Sequence, residues 1–107
     1  MILGPAIWQL LYRTDDYLID LQIEPQRSSE KMALVGQILN TRHPGKTFSA
    51  APVTVVKQQK VRAIGATNRF GEFRVECDVE RGLQLRLKLP DEVVLLPLFE
   101  ISAPTPD

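Results

Sequence analysis

The stretch Thr67-Asn68-Arg69-Phe70-Gly71-Glu72-Phe73-Arg74-Val75 decides how this chain folds. It reads as the end of one strand, a tight corner and the immediate start of another strand. Asn tolerates left-handed backbone angles and Gly adopts them without steric cost, so Asn68 and Gly71 suit such a corner. After it, apolar and charged residues alternate as far as Asp78, which is the pattern of a half-buried strand.

The rest of the chain is patterned as short strands separated by turns. Alternation is clearest over Tyr17–Glu24 and Leu83–Leu89, where every second residue is apolar. The run Met32–Asn40 is apolar on both faces, which is typical of a central strand, and Gly36 inside it indicates a bulge or a close backbone approach. The remaining predicted strands are Val53–Val56, Val61–Ala66, Glu72–Asp78 and Val93–Phe99.

The N-terminal run Ile7–Arg13 fits both a helical stripe and a strand. An Asp-rich turn follows it, and two runs joined by such a turn favour a hairpin with Tyr17–Glu24. Pro25 cannot donate to a ladder and is expected to end that second strand. We therefore predict an additional N-terminal hairpin over 7–24.

Together these runs give seven or eight strands with a turn every eight to twelve residues and no convincing helix. This pattern predicts an all-β fold, an antiparallel Greek-key β-sandwich, formed as a single domain over 1–107. The rows Leu83/Leu85/Leu87/Leu89 and Phe73/Val75/Cys77 are the expected centre of its core. The Pro-rich segment 102–107 is expected to be a flexible tail.

Charge and cysteine content narrow the classes of protein only slightly. The formal net charge is zero, so whole-molecule electrostatics select no class of partner. With a single cysteine the chain forms no internal disulfide, and Cys77 lies on the apolar phase of its strand, as a small buried hydrophobe would. A reactive thiol would need a nearby cation or a helix N-terminus.

Membrane and export signals are not predicted in this segment. No apolar run reaches the ~18–20 residues of a membrane span. Met1–Tyr12 has neither a basic n-region nor a small-residue cleavage site, so we expect no signal peptide there. Bacterial cytoplasm and cell envelope are both compatible with the sequence, and the compartment stays open.

The corner and its flanks resemble a known family of sandwich domains. The run Thr67–Phe73, followed by Gly82 and the alternating strand 83–87, is similar to the corner of the carboxypeptidase regulatory-like domain. That group includes the Cna B-like and transthyretin-like (prealbumin-like) sandwiches. The runs Leu34–Asn40 and Ala51–Val55 resemble its opening strands.

The resemblance covers residues 34–97 and departs at the loop 41–51 and at the hairpin 7–24. It implies a seven-stranded sandwich that serves as an accessory module of a larger protein, in bacterial surface or envelope proteins or beside regulatory domains. The function it implies is non-catalytic, through protein–protein contact within or beyond the parent protein.

Two reactive sub-families of this architecture fit the chain poorly. The hydroxyisourate hydrolases of the transthyretin group need several histidines, an arginine and a Tyr-Arg-Gly-Ser-like end, whereas this chain has only His43 and ends Pro-Thr-Pro-Asp. The Cna B-like domains that form an internal Lys–Asn bond would have Lys31 as a candidate, but the last strand has no Asn or Asp. We expect no enzymatic activity.

Cofactor and metal sites are not predicted either. Zinc requires three or four converging ligands, and His43 and Cys77 lie apart in sequence without helpers. Asp15, Asp16 and Asp20 are too sparse for a calcium loop, so a solvated turn is the better interpretation. No Ser-His-Asp or Cys-His arrangement and no Gly-rich phosphate loop can be recognised.

Basic residues are concentrated in the middle of the chain. Between residues 31 and 71 there are seven basic residues and no acid. One interpretation is a docking surface for an acidic partner, and the other is a solvated surface whose charges pair with neighbouring strands. Nucleic-acid binding is not expected, because an aromatic stacking platform is missing. The candidate interaction residues are Arg42, Lys46, Lys57, Lys60, Arg62 and Arg69.

Three aromatic residues, Trp8, Tyr12 and Tyr17, lie close together near the N-terminus. As an exposed flat platform they would bind carbohydrate, and otherwise they pack as core or edge cover. A carbohydrate or small-ligand binding module is therefore the alternative function, and an enzyme of the transthyretin type is the third hypothesis. The N-terminal hairpin could also pair with a partner's sheet edge, as in a homodimer.

Overall fold

A computed structural model describes residues 8–26, 30–45 and 50–98, and all of its regular structure is β-strand. The strands are β1 (Trp8–Arg13), β2 (Tyr17–Pro25), β3 (Lys31–Asn40), β4 (Pro52–Lys57), β5 (Lys60–Ala66), β6 (Glu72–Asp78), β7 (Leu83–Lys88) and β8 (Val93–Pro97). These residues include no helix long and apolar enough to cross a membrane. Residues Ile7, Phe99 and the predicted tail 102–107 lie outside the described part of the chain.

The eight strands form two four-stranded sheets in which all neighbours are antiparallel. The first sheet has the order β1-β2-β3-β6, and the second has the order β5-β4-β7-β8. The prediction of an all-β fold with two antiparallel sheets is thereby confirmed. The ambiguous N-terminal run is a strand, because β1 pairs with β2 from Trp8↔Ile23 to Arg13↔Leu18.

The core lies between the two sheets and is filled by alternate residues of each strand. In β6 and β7 burial alternates at every position, as the sequence predicted. Leu83, Leu85 and Leu87 are fully buried and belong to the same hydrophobic cluster as Ile19 and Leu21 of the first sheet. Each such side chain contributes roughly 1.5–3 kcal/mol on full burial. Packing of these two inner faces is the main source of stability.

Strand β3 is central in its sheet, between β2 and β6, as its two-sided apolar pattern predicted. The register is continuous through Gly36 in both pairings, so no bulge occurs there. Instead, the ring of Phe73 covers this residue. A Cβ at position 36 would overlap Phe73 Cζ and lie 2.6 Å from Cε2, so a larger residue would force the ring to move.

The corner after β5 carries the chain from the second sheet to the first. Thr67 is buried and exchanges two hydrogen bonds with Ala51, since its N–H donates to the Ala51 carbonyl (3.0 Å) and its Oγ1 accepts from the Ala51 N–H (2.9 Å). Asn68 Oδ1 accepts from the N–H groups of Phe70 (2.9 Å) and Glu72 (3.0 Å). Gly71 has a φ of 79°.

This geometry corrects the role predicted for Asn68. The positive φ angles among the described non-glycine residues belong to Gln58 and Gln59, so Asn68 is not left-handed. Instead, its side-chain carbonyl oxygen stabilises the turn, because it accepts hydrogen bonds from two backbone N–H groups of the corner. Only Gly71 supplies the left-handed angle there.

The hairpin between β4 and β5 turns over two residues, Gln58 and Gln59, because Lys57 and Lys60 extend the predicted strands 53–56 and 61–66 by one residue each. Gln58 has φ 50° and Gln59 has φ 69°, the conformation that hairpins usually assign to Asn and Gly. Both glutamines carry a Cβ that crowds the backbone in this region, so the turn is strained.

We predict that Gly36→Ala destabilises the domain by about 1–3 kcal/mol, because the new methyl group overlaps the Phe73 ring. Urea unfolding measures the loss. In the double variant Gly36→Ala/Phe73→Leu the smaller leucine side chain leaves room for the new methyl group. The double variant should therefore lose less stability than the sum of the losses of the two single variants. Strictly additive effects would contradict the contact.

We predict that Gln59→Gly stabilises the domain by about 0.5–1 kcal/mol, because glycine adopts φ near +70° without steric cost. Thermal or urea unfolding gives the comparison with the natural chain. Gln59→Ala is the matched control: it keeps a Cβ and should bring no gain. Equal effects of the two substitutions would show that this residue is not left-handed.

Candidate functional site

The predicted basic residues lie at opposite ends of the sandwich. One end, called the corner end, carries the loops 14–16, 41–45, 67–71 and 89–92, joined by bonds such as Thr41 N–H to the Asp16 carbonyl (2.8 Å). Arg42 and Arg69 lie there. The other end, called the hairpin end, carries the turns 58–59 and 79–82, with Lys57, Lys60 and Arg62. Lys46 lies outside the described residues.

Several of these cations already have partners within the chain. Arg42 Nε lies 2.5 Å from Asp16 Oδ1, an ionic contact without the alignment of a hydrogen bond. Glu80 binds both Lys57 Nζ (3.3 Å) and Arg62 Nε (3.5 Å). The Arg69 guanidinium lies 4.8 Å from the ring centre of its neighbour Phe70. The structure therefore does not gather the basic residues into one surface.

Tyr12 and Tyr17, the two N-terminal aromatic residues whose side chains the structure describes, do not form an exposed platform. Tyr17 is a core residue with 3% of its surface exposed, and its hydroxyl donates to Asp91 Oδ1 at 2.8 Å. Tyr12 is partly buried and packs against the core. Only the backbone of Trp8 is described. The Tyr17–Asp91 hydrogen bond links the two sheets at the corner end.

Two polar groups of the core have raised pKa values. Burial raises the pKa of the Tyr17 hydroxyl to about 12, assisted by its hydrogen bond to Asp91. Burial also raises the pKa of the Cys77 thiol to about 11, and the nearby carboxylates of Asp78 and Glu80 add to the effect. The thiol is therefore neutral at physiological pH, and the prediction that Cys77 packs as a small hydrophobe is confirmed.

His43 is exposed in the loop after β3. Within residues 8–26, 30–45 and 50–98, no three His, Cys, Asp or Glu side chains converge as metal ligands would.

The outer faces of the two sheets differ strongly in polarity. The outer face of the first sheet is mostly polar: three of the four residues in the row Leu11, Asp20, Gln37 and Glu72, which runs across its four strands, are polar. Leu11 and Leu39 are its exposed large apolar residues. The outer face of the second sheet, called the apolar face, is mostly hydrophobic. Its outward residues, by pairing, are Pro52, Thr54, Val56, Val61, Ile64, Ala66, Gln84, Arg86, Lys88, Val93, Leu95 and Pro97. Val56 lies at the register shift of β4 and is only 2% exposed, so it adds no accessible apolar surface.

The pairing of the second sheet brings these residues into rows. One row runs Ile64, Thr54, Arg86 and Leu95 from β5 to β8. Ile64 is 75% exposed and Leu95 is 50% exposed. Val61 and Val93 are also more than half exposed. The two edge strands of this sheet thus carry apolar stripes, with a more polar strip between them.

The charges of the apolar face are both positive and both on β7. Arg86 and Lys88 are exposed, and neither forms an ion pair with a described residue. No acid stands among the twelve outward residues of this face. Arg86 has Thr54 on one side and Leu95 on the other. A cation therefore lies near the middle of an apolar surface without a counter-charge.

The sequence analysis did not single out this face, although a signal was present. The outward residues of β6 and β7 are polar, whereas β8 is apolar on both of its faces, as Val93–Pro97 reads Val-Val-Leu-Leu-Pro. Apolar residues on both faces of a strand indicated that β3 is central, and β8 shows the same pattern. Because β8 is an edge strand with one face open to solvent, its outward residues are exposed rather than covered.

A second feature is a groove of about 540 Å³ on the outer face of the first sheet. Asp20, Gln22, Gln37, Glu72 and Arg74 are among its lining residues, and the corner residues Ala66 and Asn68 line it too. Three of the charged groups are already bonded: Asp20 accepts from Gln9 (3.0 Å), Glu72 accepts from Asn68 (2.9 Å) and Arg74 donates to Glu76 (2.6 Å).

Comparison with known proteins adds no assignment: no family model, no curated protein and no solved structure matches the chain.

We predict that Tyr17→Phe lowers the free energy of unfolding by about 1–2 kcal/mol at pH 7, because the hydrogen bond to Asp91 is lost. The pKa of Tyr17 is raised on folding, so its contribution is complete below the ordinary tyrosine value of about 10 and disappears as the pH rises through about 12. Urea unfolding from pH 7 to 12 measures both effects.

The difference in absorbance at 295 nm between the natural chain and Tyr17→Phe isolates the titration of this one hydroxyl. It should show a midpoint near pH 12. A midpoint near pH 10, together with a stability difference between the natural chain and Tyr17→Phe that does not change with pH, would contradict the buried hydrogen bond.

Proposed function

We propose that this chain is a non-catalytic β-sandwich accessory module that makes a protein–protein contact through the apolar face. The observation that carries the proposal is the composition of that face, where large apolar side chains of both edge strands stand more than half exposed. The partner is either another domain of a parent chain or a separate protein.

Leaving such an apolar face in water is energetically costly. An antiparallel sheet that packs on one side normally presents polar residues on the other, as the first sheet does. Contiguous apolar patches on a folded domain mark interaction sites, because covering them releases about 25 cal/mol per Å² of apolar surface removed from water. The stripes on β5 and β8 therefore favour a surface that is covered in use.

The family resemblance supports the same type of function. The resembling residues Asn68 and Gly71 form the corner that joins the two sheets, where the carboxypeptidase regulatory-like pattern has its own corner motif, and Phe73 is the first buried residue of the strand that follows. On this basis we propose a Greek-key sandwich of the transthyretin-like and Cna B-like type, with the hairpin of β1 and β2 as an addition. Domains of that type serve as accessory modules in larger proteins.

A second candidate function, binding of carbohydrate or another small polar ligand, is favoured by the groove of the first sheet. Its volume lies within the range of small-molecule sites. The amides of Gln22 and Gln37 form no side-chain hydrogen bond with a described residue and could bind hydroxyl groups, with Val35 as an apolar contact between them. Tyr12 and Tyr17, the aromatic residues first considered, do not contribute.

Site-specific photo-crosslinking tests the proposed contact. A photoreactive amino acid replaces Ile64 in the full-length natural protein, and the matched control carries it at Leu11, an exposed apolar residue on the outer face of the first sheet. We expect a defined protein adduct, within the parent chain or to one partner, from position 64 and none from position 11. Equal adducts from both positions, or none from position 64, would contradict the proposal.

NMR titration of the isotope-labelled domain tests the second candidate. A panel of neutral and acidic oligosaccharides is added, and the side-chain amide signals of Gln22 and Gln37 are followed. Saturable shifts of these signals, abolished in Gln22→Ala/Gln37→Ala, support a groove ligand. If no sugar produces saturable shifts in the groove, carbohydrate is removed as its ligand.

A further inference from the structure

We propose that the partner covering the apolar face places an acidic side chain against Arg86 and Lys88, between apolar side chains that contact Ile64 and Leu95. This inference rests on the proposed protein contact and states the chemistry of the partner. The partner segment is expected to read apolar-x-acidic-x-apolar in an extended conformation.

Covering the cations Arg86 and Lys88 with a partner removes water from their charged groups. A charged group that loses its water needs a counter-charge or hydrogen-bond acceptors in exchange. The face itself offers no carboxylate, and Arg86 is flanked across the strands by Thr54 and Leu95. Any protein that covers the neighbouring apolar stripes also covers Arg86, so that protein must bring the acceptor.

The spacing of the row matches that of an extended peptide. Ile64, Thr54, Arg86 and Leu95 lie on four successive strands, so the row spans about 14 Å at roughly 4.8 Å per strand. In an extended segment, residues i, i+2 and i+4 point to the same side and cover about 13–14 Å. With one apolar residue over Ile64 and another over Leu95, the acid between them lies at the middle of the row, between Thr54 and Arg86, within reach of the long Arg86 side chain.

A second copy of this chain fits the face poorly. In a two-fold dimer centred on the face, Arg86 and Lys88 of one copy would meet the same cations of the other, which is repulsive. The acidic outer face of the first sheet would supply carboxylates such as Asp20 and Glu72, but glutamine stands between them in the row. The apolar stripes would then lie against polar groups.

An anionic membrane surface also fits poorly. Peripheral membrane sites combine clusters of several cations with Trp or Phe side chains that enter the interface. The apolar face has two cations and no aromatic residue among its twelve outward positions. Its exposed apolar residues are Val, Ile, Leu, Ala and Pro. The composition therefore favours a protein partner.

Phage display tests the inference. A library of random twelve-residue peptides is selected for binding to the immobilised natural chain. We expect the selected peptides to share an acidic residue with apolar residues two positions before and after it. A synthetic peptide of this type should bind about 30-fold or more weakly to Arg86→Gln, because one partner of a covered charge pair is lost. Its affinity should also fall with rising salt.

The matched control is Arg13→Gln, which removes an exposed cation from an outward position of the first sheet. It should leave peptide affinity unchanged. A second variant, Ile64→Lys, tests the face independently of Arg86 and should also abolish binding. Circular dichroism and unfolding curves establish that each variant is folded before affinities are compared.

The outcomes separate this inference from the proposed function. Peptides without an acid that bind Arg86→Gln as tightly as the natural chain, yet lose binding in Ile64→Lys, overturn the acidic partner and leave the protein contact standing. Failure to select any peptide that is sensitive to Ile64→Lys counts against both. Binding of the natural chain to phosphatidylserine vesicles, or self-association abolished by Arg86→Gln, would replace the protein partner with a membrane or a second copy.

Discussion

Packing of the two inner sheet faces against each other is the constraint on which the rest of this structure depends. Alternate residues of eight strands fill the space between the sheets, and the fully buried leucines of β7 lie at the centre. The corner at 67–71 lets the chain pass from one sheet to the other without losing backbone hydrogen bonds, since Asn68 and Thr67 supply the missing partners. The packing in the first sheet is tight at Gly36, where the Phe73 ring occupies the space that a Cβ would need.

Alternation in the sequence was sufficient to predict strands such as β2, β6 and β7, because a strand with one buried face has period two. It could not decide how Asn68 acts, since the same residue type serves both as a left-handed residue and as a side-chain acceptor. Nor could it locate the basic residues. Arg42 and Lys57 are close in sequence but lie at opposite ends of the sandwich, and each meets an acid from a distant loop.

The candidate face depended on information that no single stretch of sequence contains. Ile64, Thr54, Arg86 and Leu95 come from four strands and become neighbours only through the order β5-β4-β7-β8. One part was visible beforehand, namely the apolar residues on both faces of β8. This strand order places two apolar stripes, with cations between them, on the solvent-facing side of the second sheet. The proposed contact follows from that arrangement.

The exposure of this face can be measured directly with methyl-resolved NMR of the natural chain and a soluble paramagnetic probe. Signal loss reports how closely the probe approaches each methyl group. The account predicts strong loss at Ile64, Val61 and Leu95, and little loss at Leu21 and Leu85, which are buried between the sheets. Protection of Ile64 and Leu95 equal to that of Leu85 would contradict the account, because the face would then be covered within the chain itself.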